Sequence, residues 1–480
     1  MISRFVLVYL AGFFPAQTFA QSESNHLDPI APIIFWVTLI FFFGVLGRYI
    51  AKWLKQPAVL GELLMGVIAG NLCYFFGLQL AMVLREGSAV FSIMNAVFSG
   101  LSLSDAVSHV IPSSHDAALV MSALSGSNGF DLLKIAYVVD VFSRYGVIFL
   151  LFMVGLESSV EELKHTGRES LQVAVIGVVA PMLLGLLATY FLMPNASFQA
   201  DLFVAATLSA TSIGITARVL RDMKTLRTRE AKTILGAAMI DDILGLILLA
   251  IVSSIVINGM VDFFMVSRVV VLACVFFLSA LWIGPWVLRK AVTWFSWVSL
   301  WEAKLFIAFL FLMSLAWLAS MVQLATIIGA FVAGIVIHDG FFDARERADK
   351  KALSIQALVA PLEAILAPLF FMLIGIQVKI ETFFNWHVLF ISLGLIIAAI
   401  IGKLLSGLGA NPRDDRFLIG IGMLPRGEVG LVFASIGRSI GVITDELFSS
   451  IILMVIVTTL VAPPWLKKRY ATRQGKKNDI

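Results

Sequence analysis

Charge is what this chain has least of. Asp, Glu, Lys and Arg make up 14% of its 480 residues, against 60% hydrophobic ones. That ratio leaves too little polar surface for a soluble globular protein and points to a polytopic, all-α membrane protein. Cysteine is almost missing: Cys73 and Cys274 both fall in apolar stretches, so neither a disulfide framework nor a metal-ligand cluster is expected. The six histidines have no ligand-like spacing. No glycine-rich loop runs into Lys-Ser/Thr, which excludes a P-loop ATP-driven pump. No cofactor and no nucleic-acid partner are expected.

What is present in abundance is apolar sequence of helix-spanning length. Runs at 30–52, 57–81, 136–156, 170–193, 201–220, 232–257, 266–288, 303–322, 324–338, 355–378, 386–409, 416–439 and 445–466 follow one another down the chain. A bilayer core of ~30 Å takes ~20 helical residues, so these predict about thirteen transmembrane helices. Backbone groups cannot go unpaired in lipid, which makes helix the assignment for every run. Before them, Arg4, the apolar Phe5 to Phe14 and the small-residue site Thr18-Phe19-Ala20 predict a cleaved signal peptide over 1–20. The transmembrane domain then occupies 21–470 and a cytoplasmic tail 471–480.

Lys and Arg fall on alternate loops: Arg48, Lys52 and Lys55; Lys164 and Arg168; Arg221 to Lys232; Arg289 and Lys290; Arg345 to Lys351; Arg413 and Arg416; Lys467 to Arg469. The opposite loops are nearly bare, with Arg85, Lys134, Arg268 and Lys379 the main exceptions. The positive-inside rule then puts the mature N-terminus outside and the C-terminus in the cytoplasm of a cell whose inner (plasma) membrane holds the protein. One outer loop, 82–135, is long enough to be an extracytoplasmic insertion, read as a surface cap with short amphipathic helices.

Two halves of the chain echo each other. Gly61-Glu62-Leu63-Leu64-Met65-Gly66 matches Gly329-Ala330-Phe331-Val332-Ala333-Gly334, and Leu151 to Glu157 matches Phe370 to Ile376. Asp201-Leu202-Phe203 matches Asp415-Arg416-Phe417. Seven runs separate each pair, an odd number, so the halves enter the membrane upside down relative to each other. Folds of that kind bind their ion near the midplane between broken helices. Two breaks can be read. Hydroxyls and a glycine interrupt the run at Ser209-Ala210-Thr211-Ser212-Ile213-Gly214, and a proline, glycines and two charges do so at Pro425-Arg426-Gly427-Glu428. Proline removes a helical donor and clashes with the preceding turn.

Four intramembrane features carry chemistry. Asp241 and Asp242 sit side by side within the apolar run 232–257. A charge at that depth costs at least roughly 2.5–3.5 kcal/mol on insertion scales, so it is kept for function. Adjacent helical residues point ~100° apart, so one carboxylate can meet a cation of the protein while the other faces a watery cavity. Burial favours the protonated carboxyl and a nearby cation the ionised one, so protons and a monovalent cation compete for the same oxygens. Lys403 is a candidate partner for Asp241, with snorkelling to the interface as the other reading. Arg426 and Glu428 are expected to neutralise each other at the second break. Glu62, Glu157 and Glu363, near the ends of their runs, are expected at the interface. An intramembrane aspartyl protease is disfavoured because its two carboxylates must face each other from different helices.

The Thr211-Ser212 break, the Asp241-Asp242 pair, the Gly402-Lys403 helix and the Pro425-Arg426-Gly427-Glu428 break, in that order, resemble the bacterial sodium/proton antiporters of the second monovalent cation/proton antiporter family, over about residues 30 to 466. The resemblance implies a homodimer with a dimerisation domain and a six-helix core holding two crossed, broken helices. It implies no enzymatic activity, Na+ or Li+ exchanged for protons, the cation on Asp242, Asp241 paired with Lys403, and Thr211 and Ser212 contributing at the break. The Asp-Asp pair is similar to the electrogenic branch, in which two protons exchange for one cation. The alternative is a potassium/proton antiporter or potassium efflux protein. The nucleotide-binding domain of glutathione-gated efflux relatives has no counterpart in the sequence, which lowers that alternative. The 82–135 loop has no counterpart in the family pattern.

Overall fold

The computed structural model describes residues 28–478, apart from 29, 55, 57, 88, 112–113, 127, 157–159, 195, 259–262, 323, 325, 343–352, 427–429, 431–432, 435–436 and 438–441. The expected signal peptide, Glu157 and Glu428 lie outside the described residues. The described elements are all helical. In chain order they are α1 Ala31–Trp53, α2 Ala58–Phe75, the short α3 Gln79–Leu84, α4 Ala89–Phe98, α5 Leu103–Val110 and α6 Ser114–Leu124. Next come α7 Gly129–Leu156, α8 Val160–Leu192, α9 Phe198–Ser209, α10 Ile213–Asp222, α11 Arg229–Asn258 and α12 Phe263–Trp294. The chain continues with α13 Leu300–Met321, α14 Thr326–Val336, α15 Ile355–Ile376, α16 Trp386–Ser406, α17 Arg416–Gly422 and α18 Asp445–Asn478.

Among the described residues, ten helices are long and apolar enough to cross a membrane, with α9 and α10 counted together as one. The other three apolar runs fare differently. The 232–257 run lies within the thirty-residue α11. The 324–338 run forms only the eleven residues of α14. The 416–439 run forms the seven-residue α17 before it passes outside the described residues. The second run also stops early. α2 ends at Phe75, where Gly77 takes a left-handed φ of +73° that lets the chain turn.

The helices pack in two groups. α15 lies along α7 and α2, α2 along α1, and α14 against α7 and α13. In the second group α8 is the hub, touching α9, α11 and α16, while α18 lies on α16 and α17. In the first group backbones come into direct contact through glycine. A Cβ on Gly66 would stand 2.4 Å from the Met372 carbonyl oxygen, and one on Gly375 2.3 Å from that of Leu63. The same reciprocal contact recurs between α7 and α14: a Cβ on Gly155 would meet Phe331 O at 2.3 Å and one on Gly334 would meet Phe152 O at 2.2 Å. Small residues of this kind are what lets helices approach where lipid offers no hydrophobic drive.

The stretch read as an insertion, 82–135, carries short helices. Residues 79–124 form the four helices α3–α6, whose Val83, Ile93, Val107 and Val120 share an apolar core with Ile40 of α1, Val139 of α7 and Leu373 of α15. It is tied down by charge as well. Lys379 Nζ, just past α15, donates to Glu86 Oε1 and to Asp116 Oδ2, each at 2.7 Å. Arg85 pairs with Glu381 at 2.6 Å and lies over the Tyr74 ring at 4.0 Å. Burial pushes the Glu86 carboxyl above its usual range in spite of Lys379. Burial alone would lower the Lys379 ammonium, but Glu86 and Asp116 raise it.

Candidate ion site

α9 and α10 are halves of one interrupted helix. Ser197 starts α9, its hydroxyl accepting from Ala200 N at 3.2 Å. After Ser209 the backbone opens: Ala210 is extended at φ −62°, ψ 140° and Ser212 at φ −94°, ψ 109°. An interruption inside a buried segment leaves carbonyls of α9 and amides of α10 without intrahelical partners. The second interruption supplies them. Arg426 Nη1 donates to Ala210 O at 2.6 Å and Thr207 O at 3.2 Å, and Ser212 N donates to Pro425 O at 2.7 Å. In return Thr216 Oγ1 donates to Gly422 O at 2.8 Å and Thr211 Oγ1 to Met423 O at 3.4 Å, which satisfies the end of α17. Arg426 is 1% exposed and sits where α9 presents the negative end of its dipole. The expected Arg426–Glu428 neutralisation falls on a residue outside the described ones; the guanidinium itself is bonded by carbonyls at the end of α9.

Asp241 lies twelve residues into α11, roughly 18 Å along its axis. Lys403 Nζ, from α16, stands 3.3 Å from Asp241 Oδ1 and 3.5 Å from Oδ2. The two side chains are 0% and 1% exposed, so the ammonium does not reach for the interface. α8 passes close by: a Cβ on Gly177 would stand 3.2 Å from Ser406 Cβ and in ordinary contact, 3.7 Å, with the Lys403 Nζ. The Thr211 hydroxyl also faces Asp241, and Asp242 and Arg426 lie within electrostatic range of Lys403. Asp242 is 7% exposed and points away from its neighbour around the helix. Ser212 Oγ is buried at the break between α9 and α10, with no hydrogen-bond partner among the described residues. A buried oxygen without a donor is suited to a hard cation, which takes oxygen ligands.

The structure thus brings Thr211, Ser212, Asp241, Asp242, Lys403 and Arg426 into one region. Gly177 was not singled out from the sequence, although a glycine inside an apolar run is a signal of close approach. Glu62 and Glu363 correct the expectation made for them. Glu62 is 0% and Glu363 5% exposed, and both are ion-paired inside the protein instead of standing at its surface. Arginines of neighbouring helices receive both carboxylates, so nearness to a run's end did not mean nearness to water.

Residues 37–468 match the model of the family described as the transmembrane sodium/hydrogen exchanger. The chain belongs to that family. Within the exchanger family it is 34% identical to the high-affinity Na+/H+ antiporter NhaS3 of Synechocystis, over 98% of this chain and 96% of that one. It is also 34% identical to the Na+/H+-K+ antiporter GerN of Bacillus cereus, over 69% of this chain and 83% of that one. Among solved structures it resembles the sodium proton antiporter MjNhaP1 of Methanocaldococcus jannaschii. The TM-score is 0.56 at 18% identity, over 94% of this chain and 98% of that one, a likeness that concerns the fold.

Proposed function

We propose that this exchanger-family protein is a secondary active transporter that trades Na+ for protons across a membrane by alternating access. The observation that carries the reading is the Lys403–Asp241 pair, fully buried beside the interrupted α9–α10 helix, with a second carboxylate one residue on. Asp242 holds the cation, helped by Ser212 and Thr211 oxygens, and releases its proton as it does so. Asp241 holds Lys403, and Arg426 compensates the carbonyl end of α9. One carboxylate is thereby kept ionised by the protein while the other is left to the ion and the proton.

The finer architecture follows from the same observations. Thirteen spans remain the reading of the apolar runs, and their inverted-repeat relation is supported by the glycine contacts. Gly66 and Gly334 occupy matched places in the two repeats, as do Gly155 and Gly375, and each contact of one repeat has its reciprocal in the other. A two-fold axis in the membrane plane exchanges them. The α9–α10 interruption and the one at Pro425-Arg426 are then the two broken, crossing helices of a core built on α8. The group built on α7 and α15 carries the contact to a second copy in a homodimer. The loop charges favour a multi-pass protein of the inner (plasma) membrane with its N-terminus outside, its signal peptide removed and its C-terminus in the cytoplasm.

Vesicles holding the purified protein and a pH-sensitive dye test the reading. Pulses of Na+ or Li+ are expected to dissipate an imposed proton gradient, and Asp242→Asn to abolish the response while leaving a monodisperse protein. K+ pulses test the alternative that the name of GerN keeps open. No response to Na+ or Li+ with full response to K+ replaces sodium by potassium, and retained exchange in Asp242→Asn removes Asp242 from the site.

A further inference from the structure

A second buried charge cluster lies at the far end of α10 from the break. Arg218 and Arg221, one helical turn apart on α10, both reach Glu363 of α15: Arg218 Nη1 bonds Glu363 Oε1, and Arg221 Nη1 stands 3.1 Å from Oε2. Arg218 Nε is 3.2 Å from Asp222 Oδ1, and the other oxygen of Asp222 accepts from Ala58 N at the start of α2, 3.0 Å away. Glu62 of α2 pairs with Arg48 of α1 at 2.7 Å and lies in the field of Arg218. Three cations and three carboxylates therefore balance inside the protein.

The position of the cluster matters more than its size. α10 is the continuation of α9, which packs on α8 in the second group of helices, whereas α1, α2 and α15 belong to the first. Every carboxylate and cation that α10 offers is held by, or turned toward, that other group. Arg218 lies six residues past Ser212, roughly 9 Å along the helix, so the clamp closes the chain around one side of the ion site. A buried ion pair adds little net stability compared with apolar packing. It does impose a high cost on partial separation, because each half-broken state strands a charge, and that makes a two-position contact instead of a soft one.

We infer that the Arg218–Glu363 pair, with Arg221, Asp222, Glu62 and Arg48, is a latch between the two groups of helices, closed in this structure, whose release opens the side of the ion site toward Asp222. With the orientation proposed above, that side is the cytoplasm. The inference rests on the transport reading for its purpose, but its geometry can be tested without any ion flux.

The test uses the full chain with Cys73→Ser and Cys274→Ser, and a single reporter, Val219→Cys, next to Arg218 and 0% exposed. Labelling by a water-soluble maleimide is expected to be slow with the latch intact. Breaking it from either side, with Glu363→Gln or Arg218→Gln, is expected to speed labelling roughly tenfold or more, the loss of a charged hydrogen bond. The double variant Arg218→Gln/Glu363→Gln keeps the cluster neutral and is expected to label no faster than either single, because the same bond has been removed. A control reporter, Ala136→Cys in α7, also 0% exposed, is expected to stay slow throughout. An unchanged Val219→Cys rate in the double variant overturns the latch, as does a parallel rise at Ala136→Cys or a multiplicative effect of the two substitutions. A chain that labels as expected but moves no Na+ in vesicles refutes the transport reading and leaves the latch standing.

Discussion

Replacing Lys403 by methionine removes one member of the Asp241–Lys403 pair and little volume. The carboxylate left behind is 1% exposed, and its nearest remaining help is the Thr211 hydroxyl and the Arg426 guanidinium, already committed to Thr207 and Ala210 carbonyls. Removing one partner of a buried pair costs about 3–5 kcal/mol because a charge is stranded. Asp241 can escape part of that cost by taking a proton, so the loss is expected to be larger at high pH than at low pH. In a chain of this size the lower figure corresponds to a fall in thermal midpoint of roughly 3 °C. The double variant Asp241→Asn/Lys403→Met strands nothing, and is expected to recover most of the loss. The measurement is a double-mutant cycle of thermal midpoints in detergent at two pH values, alongside exchange in vesicles. A midpoint for Lys403→Met equal to wild type at both pH values, or additive losses in the double variant, refutes the reasoning. Exchange that survives in Lys403→Met is expected to show a displaced pH dependence.

Gly155→Ala places a methyl group 2.3 Å from the Phe331 carbonyl oxygen, backbone against backbone, and is expected to destabilise by about 1–3 kcal/mol; a midpoint unchanged from wild type counts against the close α7–α14 contact. In the insertion, the raised Glu86 carboxyl means that the folded chain holds this proton more tightly than the unfolded one. Stability from Glu86 is therefore greatest below its ordinary value of 4.5 and falls as pH rises through its folded value. Lys379, raised as well, contributes below 10.5 and loses its contribution only on passing its folded value. Between those limits the pH dependence belongs to Glu86, which faces Lys379, Asp116 and Arg85. Glu86→Gln is expected to flatten the dependence of proteolytic resistance of residues 79–124 on pH above 4.5, and an unaltered slope refutes the assignment.

Much of the candidate ion site could be read before any fold was known, because each of its members breaks a rule of apolar sequence. Asp241, Asp242 and Lys403 are charges where charge is costly, Pro425 is a missing donor, and Thr211 and Ser212 are hydroxyls in an apolar run. Such exceptions are visible one residue at a time. Glu62 and Glu363 were misplaced for the converse reason. Near the end of a run a carboxylate looks the same whether water or an arginine from another helix receives it. Arg221 likewise looked like the basic edge of a loop until α15 was set beside it.

The sequence by itself determined the class of the protein, the helical state of its apolar runs and the residues whose presence in lipid needs a reason, since composition, length and the cost of burying charge are local quantities. Partnership was decided only by tertiary structure. The ammonium of Lys403 beside Asp241, the guanidinium of Arg426 on the carbonyls of Ala210 and Thr207, the exchange of hydroxyl and amide bonds between the two interruptions, and the clamp of Arg218 on Glu363 each join residues at least 145 apart in the chain. Sequence spacing holds no record of such distances. They are set by which helices the glycines allow to touch.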